Sequence, residues 1–191
     1  MNDFTKADTN KMSWDEFDEL IQVMVSKVNK YFVEHGGKVD IVSQLHRTGG
    51  IVGSTMAIKM KTIPLLPVQF KYSYNPKRID QIISVPEILI DVPEEMNVLL
   101  CEGNTSSGSV AKRAAAVIKE KYPKAKVYLA TLVKVFGCPE KLDGIEHIFH
   151  GIMSDENFKA TPEQITELNL RRGITIFPWE NTEAELADVN A

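Results

Sequence analysis

The stretch VLLCEGNTSSGSV, residues 98–110, carries the groups best placed for chemistry. An apolar run ends at one carboxylate, Glu102. Hydroxyl residues and glycines follow, and then an amphipathic segment. This is the pattern of a strand, a loop and a helix. A helix N-terminus offers backbone N–H groups without intrahelical partners and the positive end of the helix dipole. Ser106, Ser107 and Ser109 add hydroxyl donors, and Gly108 allows close approach of the backbone. A loop so composed suits a phosphate group. It is not a nucleoside-triphosphate loop, because no Gly-Lys-Ser/Thr follows. The plainer alternative is a Ser/Gly turn that only caps a helix.

A second strand-to-helix turn has a related composition. HRTGG, residues 46–50, follows an apolar run and opens another regular segment. Gly49 and Gly50 predict a sharp turn with exposed amides, and the Arg47 guanidinium is a planar fork suited to phosphate oxygens. Two anion-friendly turns in one sheet would together suit a ligand with phosphates at both ends. His46, His147 and His150 have no spacing that suggests a triad or a metal set and receive no role. Cys101 and Cys138 form neither a disulfide framework nor a metal-type pair.

The elements that must hold these turns are legible from periodicity. MSWDEFDELIQVMVSKVNKYF predicts a helix, with Trp14, Phe17, Ile21, Met24, Val25, Val28, Tyr31 and Phe32 on one face. Ser13 and Glu16 form a capping box at its start. VDIVSQ, LLPVQFKY, MNVLLCE and AKVYLATLVKV read as strands, with one or two more in IISVPEILIDVP. GGIVGSTMAIKM and SVAKRAAAVIKEKY read as helices, and SYNPKRIDQ as a polar loop. From residue 136 to 180 the pattern is irregular apart from a short helix at TPEQITELNL and a strand at GITIFPW, and Trp179 is expected to pack there with its N–H satisfied. The acidic end, ENTEAELADVNA, reads as frayed. Alternating strands and helices predict an α/β fold with a parallel central sheet.

Composition narrows the class. The chain has 191 residues, 43% of them hydrophobic and 25% charged, which suits one soluble globular domain. A formal net charge of −4 argues against general binding to nucleic acid. No apolar run approaches membrane-spanning length, and the polar first residues lack the apolar core of a secretory signal. The expectation is a cytoplasmic protein.

Taken together, these residues resemble a type I phosphoribosyltransferase of the xanthine–guanine or hypoxanthine–guanine kind. That family's signature is a hydrophobic strand, two acids, a short spacer and Asp-Thr-Gly-x-Thr. Glu102 falls on the first acid and Gly103 on the second. Ser106, Ser107, Gly108, Ser109 and Val110 fall on the phosphate loop. HRTGG resembles the family's pyrophosphate-receiving Arg-Gly-Gly turn, which implicates Arg47, Thr48, Gly49 and Gly50, with Thr48 in the usual arginine place. KYSYN resembles the mobile flap, implicating Ser73 and Tyr74. ATLVKV resembles the strand whose lysine meets the purine's exocyclic oxygen, implicating Lys134. ITIFPWE resembles the end of the base-binding cap, which would set Ile174 and Thr175 against the base. MSWDEFDELI is similar to the opening helix of xanthine–guanine-type members.

The resemblance implies a type I phosphoribosyltransferase fold in a single domain, 1–191, with about 136–180 forming a small cap, or hood, over the base site. It implies transfer of a phosphoribosyl group from phosphoribosyl pyrophosphate to a 6-oxopurine, giving a nucleoside monophosphate and pyrophosphate. Glu102 and Ser106 would stand at the reacting centre. Magnesium (Mg2+) would be held mostly by the substrate's own oxygens, with Glu102 as the protein ligand. A homodimer is implied, with no nucleic-acid or membrane partner. The departures bear on activity. Gly103 has no side chain, and Ser106, where the family carries an aspartate, cannot act as a general base near neutral pH. The alternatives are a protein of the same fold that binds or senses a nucleotide or phosphoribosyl pyrophosphate without turnover, or a degenerate scaffold for protein partners.

Overall fold

The computed structural model describes residues 3–62, 64–74 and 76–190. A 3-10 turn (Lys6–Asp8) leads to β1 (Thr9–Lys11) and the long helix α1 (Trp14–Glu34). Then come β2 (Ile41–His46), α2 (Thr48–Met60), β3 (Leu65–Tyr74), β4 (Lys77–Ile83), β5 (Asn97–Thr105), α3 (Ser109–Lys121) and β6 (Lys126–Val135). The chain ends through β7 (Ile148–Asp155), α4 (Pro162–Glu167), β8 (Arg171–Arg172), β9 (Ile174–Ile176) and α5 (Thr182–Asn190). The main sheet has the order β4-β3-β2-β5-β6-β7-β8. Every neighbouring pair is parallel except β3 with β4.

The central strands are apolar along their length because both faces of the sheet are covered. Leu99 and Cys101 face the α1 and α2 side, where Ile21, Met24, Val28, Val52 and Met56 pack on them. Val98 and Leu100 face the other side, against Ala111, Ala114 and Ile118 of α3. Alternate residues of one strand thus anchor two separate cores, which holds the end of β5 rigidly between them. α1 starts where its cap predicts, with the Ser13 hydroxyl accepting from the Glu16 N–H at 3.1 Å. Trp14 does not join the buried face. It is 58% exposed and meets Phe17 and Trp179 edge-on or tilted.

Four local expectations give way to tertiary context. SYNPKRIDQ is not a loop. Most of it belongs to an antiparallel hairpin, in which Tyr72 pairs with Ile79 and Ser73 with Arg78. The following IISVPEILIDVP contributes only the end of β4, and Pro86 and Pro93 lie in irregular chain. The stretch 148–155 forms β7 beside β6 in the main sheet, so the first half of 136–180 extends the sheet. The second half supplies β9, which pairs in parallel with β1 as a separate two-stranded layer. The acidic end is helical. α5 is pinned by Leu186, which packs with Ile174, Ile176, Phe4 and Phe158. No helix among the described residues is long and apolar enough to cross a membrane.

Candidate functional site

Strands β2, β3, β5, β6 and β7 run parallel, so their carboxyl ends and the turns that follow gather along one edge. That edge is where open α/β sheets hold ligands. A cleft of about 570 Å³ opens there, lined by Tyr72, Glu102, Asn104, Thr105, residues 106–110 and Lys159. The strand-end acid and the whole candidate phosphate loop therefore share one cavity.

The floor of the cleft is the start of α3. Gly108 is the N-cap residue and adopts φ +68°, in the left-handed region that suits glycine. A Cβ there would also lie 2.5 Å from a Leu142 methyl. Gly108 is thus fixed by backbone conformation and by the packing of Leu142. Ser106 and Ser107 are exposed. The Ser107 and Ser109 hydroxyl oxygens lie 2.9 Å apart, and the Ser109 N–H donates to the Ser107 hydroxyl at 3.3 Å. An anion entering here would meet hydroxyls and the positive end of a 13-residue helix.

Glu102 is partly accessible from the cleft. Burial pushes its carboxyl up to about 7, against the opposing pull of the Thr105 hydroxyl, which donates to Oε2 at 2.6 Å. Near neutral pH it is therefore divided between acid and carboxylate. The next position is closed. A Cβ at Gly103 would overlap the Thr48 Cγ2 methyl and lie 3.2 Å from the Phe177 ring. A side chain cannot be added there while Thr48 stays in place.

The second turn is built differently from its sequence expectation. The His46–Arg47 peptide is cis. Gly49 and Gly50 are buried and do not present an open amide surface. A Cβ at Gly49 would overlap the Cys101 carbonyl oxygen, and one at Gly50 would lie 2.7 Å from the His46 ring. The Gly50 N–H already donates to the Arg47 carbonyl at 2.9 Å. These glycines let α2 press against β5 and against His46. The accessible groups of the turn are the exposed Arg47 and the half-buried Thr48.

The base-side residues are scattered. Lys134, at the end of β6, is 3% exposed, and its ammonium lies 2.6 Å from the carboxylate of Glu140, which is 86% exposed. Ile174 packs with Ile176 and Leu186, away from the cleft. Thr175 is buried, and its N–H donates to Glu156 at 3.1 Å. Ser73 sits on the β3–β4 hairpin, where its neighbour Tyr72 lines the cleft. The Tyr74 side chain lies outside the described residues. Trp179 stacks on Phe177 with ring centroids 5.1 Å apart, and its indole N–H is buried without a protein partner, contrary to the sequence reading.

Three polar residues escaped the sequence reading. Lys159 lines the cleft from the turn after β7, and buried Asp155 fixes that turn by accepting from the Lys159 and Ala160 N–H groups at 2.8 and 3.0 Å. Glu156 accepts from Thr175 and from the Asn104 amide at 3.0 Å, and burial holds its carboxyl above the usual range. Glu180 accepts from the Phe177 N–H at 2.9 Å and meets the Thr48 hydroxyl at 3.4 Å. Burial, reinforced by Glu185 and Glu156, pushes its carboxyl up to about 7. No short motif marks any of the three. Only the position of Lys159 and Glu156 just past a strand end could have flagged them, and that strand was itself not foreseen.

Among the described residues no group of three or more histidine, cysteine or acidic side chains is placed to hold a metal. Of the described residues lining the cleft, Glu102 is the acid, and its raised carboxyl binds a cation only in its ionised form.

No family model matches the sequence, and no curated protein matches it. Solved structures do. A purine phosphoribosyltransferase from Pyrococcus horikoshii Ot3 is 16% identical, with 91% of this chain and 95% of that one covered and a TM-score of 0.65. The xanthine-guanine-hypoxanthine phosphoribosyltransferase of Helicobacter pylori is 14% identical, with 94% and 99% covered and a TM-score of 0.62. A hypothetical protein from Neisseria gonorrhoeae with bound ppGpp is 16% identical, with 96% and 95% covered and a TM-score of 0.60. The chain has the α/β fold of the purine phosphoribosyltransferases, a mostly parallel sheet flanked by helices.

Proposed function

We propose that the protein binds a phosphoribosyl ligand in the cleft at the end of β5 and transfers the phosphoribosyl group from phosphoribosyl pyrophosphate to a 6-oxopurine. The observation that carries this reading is the shared cavity of Glu102 and residues 106–110, at the N-terminus of α3. The 5′-phosphate would sit on the Ser106, Ser107 and Ser109 side of the loop, with Lys159 across the cleft. Ionised Glu102 would accept from a ribose hydroxyl and stabilise positive charge developing on the ribose as the bond to pyrophosphate breaks. Lys134 would exchange Glu140 for the base's exocyclic oxygen. Ser106 would orient the ligand and is not asked to take a proton. Magnesium would arrive with phosphoribosyl pyrophosphate, on the ligand's own oxygens.

A second reading is favoured by the closure of Gly103 behind Thr48. With one acid at the ribose position, the same cleft would hold a nucleotide without turning it over. The fold neighbour with bound ppGpp supports that reading for a guanine nucleotide. One experiment separates the two. Turnover is assayed with guanine, xanthine, hypoxanthine and adenine beside a binding titration with guanosine monophosphate and phosphoribosyl pyrophosphate. Transfer to an oxopurine supports the enzyme, and binding without turnover supports the sensor. Absence of binding by either ligand excludes both.

A further inference from the structure

Glu180 stands beside the two positions where the site departs most from its sequence expectation. The space beyond Gly103 is filled by Thr48 and Phe177. Both of those residues are tied to the same carboxyl, Thr48 through its hydroxyl to Oε1 and Phe177 through its N–H to Oε2. Glu180 is drawn in from 132 residues away in sequence. It is partly accessible, and it adjoins the turn where Arg47 and Thr48 are the groups open to an anion.

Resting on the proposed phosphoribosyl-transfer reading, and on the likeness of HRTGG to a turn that receives the pyrophosphate end of such a ligand, we infer that Glu180 is a positioning residue that sets the direction of the Thr48 hydroxyl. An ionised Glu180 can only accept, so Thr48 donates inward and its proton is withheld from a ligand. A protonated Glu180 can donate to the Thr48 oxygen. The Thr48 proton is then released to point outward, toward a phosphate oxygen. The ionised form also sets a negative charge beside the incoming anion. The 3.4 Å contact is long for a hydroxyl bond, as befits a hydroxyl able to turn between two partners.

The surrounding charges are consistent with a group balanced between its two forms. Burial, Glu185 of α5 and Glu156 after β7 favour the neutral acid, whereas the Phe177 N–H and the Thr48 hydroxyl favour the carboxylate. Burial holds the Glu185 carboxyl above its ordinary value, reinforced by Asp188 and opposed by Arg47. The acidic C-terminal segment thus meets the one arginine of the turn.

The test uses the full chain and inorganic pyrophosphate, titrated by calorimetry at pH 6 and pH 8 against wild type, Glu180→Gln, Thr48→Val and the double variant. Comparing proteins at each pH cancels the titration of pyrophosphate itself. Glutamine keeps an acceptor for the Phe177 N–H and mimics the neutral acid. The expected result is near-equal binding by wild type and Glu180→Gln at pH 6. At pH 8 Glu180→Gln should bind about tenfold more tightly, because roughly a tenth of a group titrating near 7 remains protonated one unit above. Thr48→Val should cut that difference to the part owed to the Glu180 charge alone. Equal or weaker binding by Glu180→Gln at pH 8, or a difference that survives Thr48→Val undiminished, overturns the inference alone. If pyrophosphate binds none of the four proteins at either pH, the anion turn is misassigned and the inference falls with it. Binding of guanosine monophosphate in the neighbouring cleft would then still stand or fall separately.

Discussion

The turns after β2 and β5 have similar sequences and opposite construction. Both join a buried strand to a helix through small residues. After β5 Ser106 and Ser107 are exposed and the helix start opens into a cavity. After β2 the glycines are buried, one against the Cys101 carbonyl and one against the His46 ring. Small residues serve ligand access in the first turn and close packing in the second. Composition alone cannot separate these uses, because a missing Cβ is equally useful to a ligand and to a neighbouring strand.

The contrast is open to direct attack, most severely at Gly49. Gly49→Ala should destabilise the protein by about 3 kcal/mol, the upper range for overpacking a tight site. The new methyl overlaps backbone, which cannot swing aside as a side chain can. Denaturant unfolding measures this. A loss under about 0.5 kcal/mol would show that the turn is slack and the contrast false. Gly103→Asp should likewise destabilise, since it collides with Thr48. Adding Thr48→Ser, which removes the colliding methyl, should recover part of that loss.

Next in size is the effect of charge in the open loop. Ser107→Asp should weaken binding of guanosine monophosphate about a hundredfold, from the Coulomb repulsion of one charge near a phosphate dianion in a partly screened site. Stability should stay within about 0.5 kcal/mol, because an acid is favourable beside a helix N-terminus. This variant tests the cradle better than a change at Gly108, where the left-handed backbone and Leu142 would make any larger side chain a folding defect. Unaltered affinity in Ser107→Asp would move the phosphate out of the loop.

The two carboxyls pushed up to about 7, Glu102 and Glu180, should respond to pH with opposite signs. Glu102 accepts from a ribose hydroxyl most strongly when ionised. Binding of guanosine monophosphate should therefore strengthen about tenfold from pH 6 to pH 8, measured relative to Glu102→Gln at each pH. Glu180 weakens anion binding over the same interval. Both folded-state values lie above the ordinary carboxylate value of 4.5, so the folded state holds protons that the unfolded chain has released. Their joint contribution to stability is most favourable at and below about pH 4.5 and is lost as pH rises to about 7. The melting temperature of wild type should thus fall more steeply over that window than that of Glu102→Gln/Glu180→Gln. Parallel curves would show that neither group is desolvated.

The smallest effect is expected at Ser106. Ser106→Ala should change stability by less than about 0.5 kcal/mol and ligand affinity by several-fold, the worth of one hydrogen bond to a charged group. A loss of a thousandfold or more in turnover would instead make Ser106 a catalytic group.

Much of the fold was legible from local pattern. The helices α1 and α3 and the strands β2, β5 and β6 lie where hydrophobic periodicity and end signals set them. Those signals depend on residues within a turn or two of each other. The misread elements are the ones that need partners. β4 exists because β3 lies beside it, β7 because β6 does, and α5 because Leu186 finds Ile174 and Phe158. Each is marginal alone and is held by contacts from distant parts of the chain.

The site divides along the same line. By itself the sequence determined the strand-end acid, the small-residue loop and the helix that follows it, because an amphipathic helix after a buried strand is specified by adjacent residues. Only the tertiary structure decided which glycines face a ligand and which face a backbone, that no side chain fits at Gly103, that Lys134 meets Glu140, and that Glu180 reaches Thr48 from the other end of the chain. Close approach and desolvation are properties of space. They depend on which residues the fold brings within a few ångströms, and separation along the chain carries no record of that.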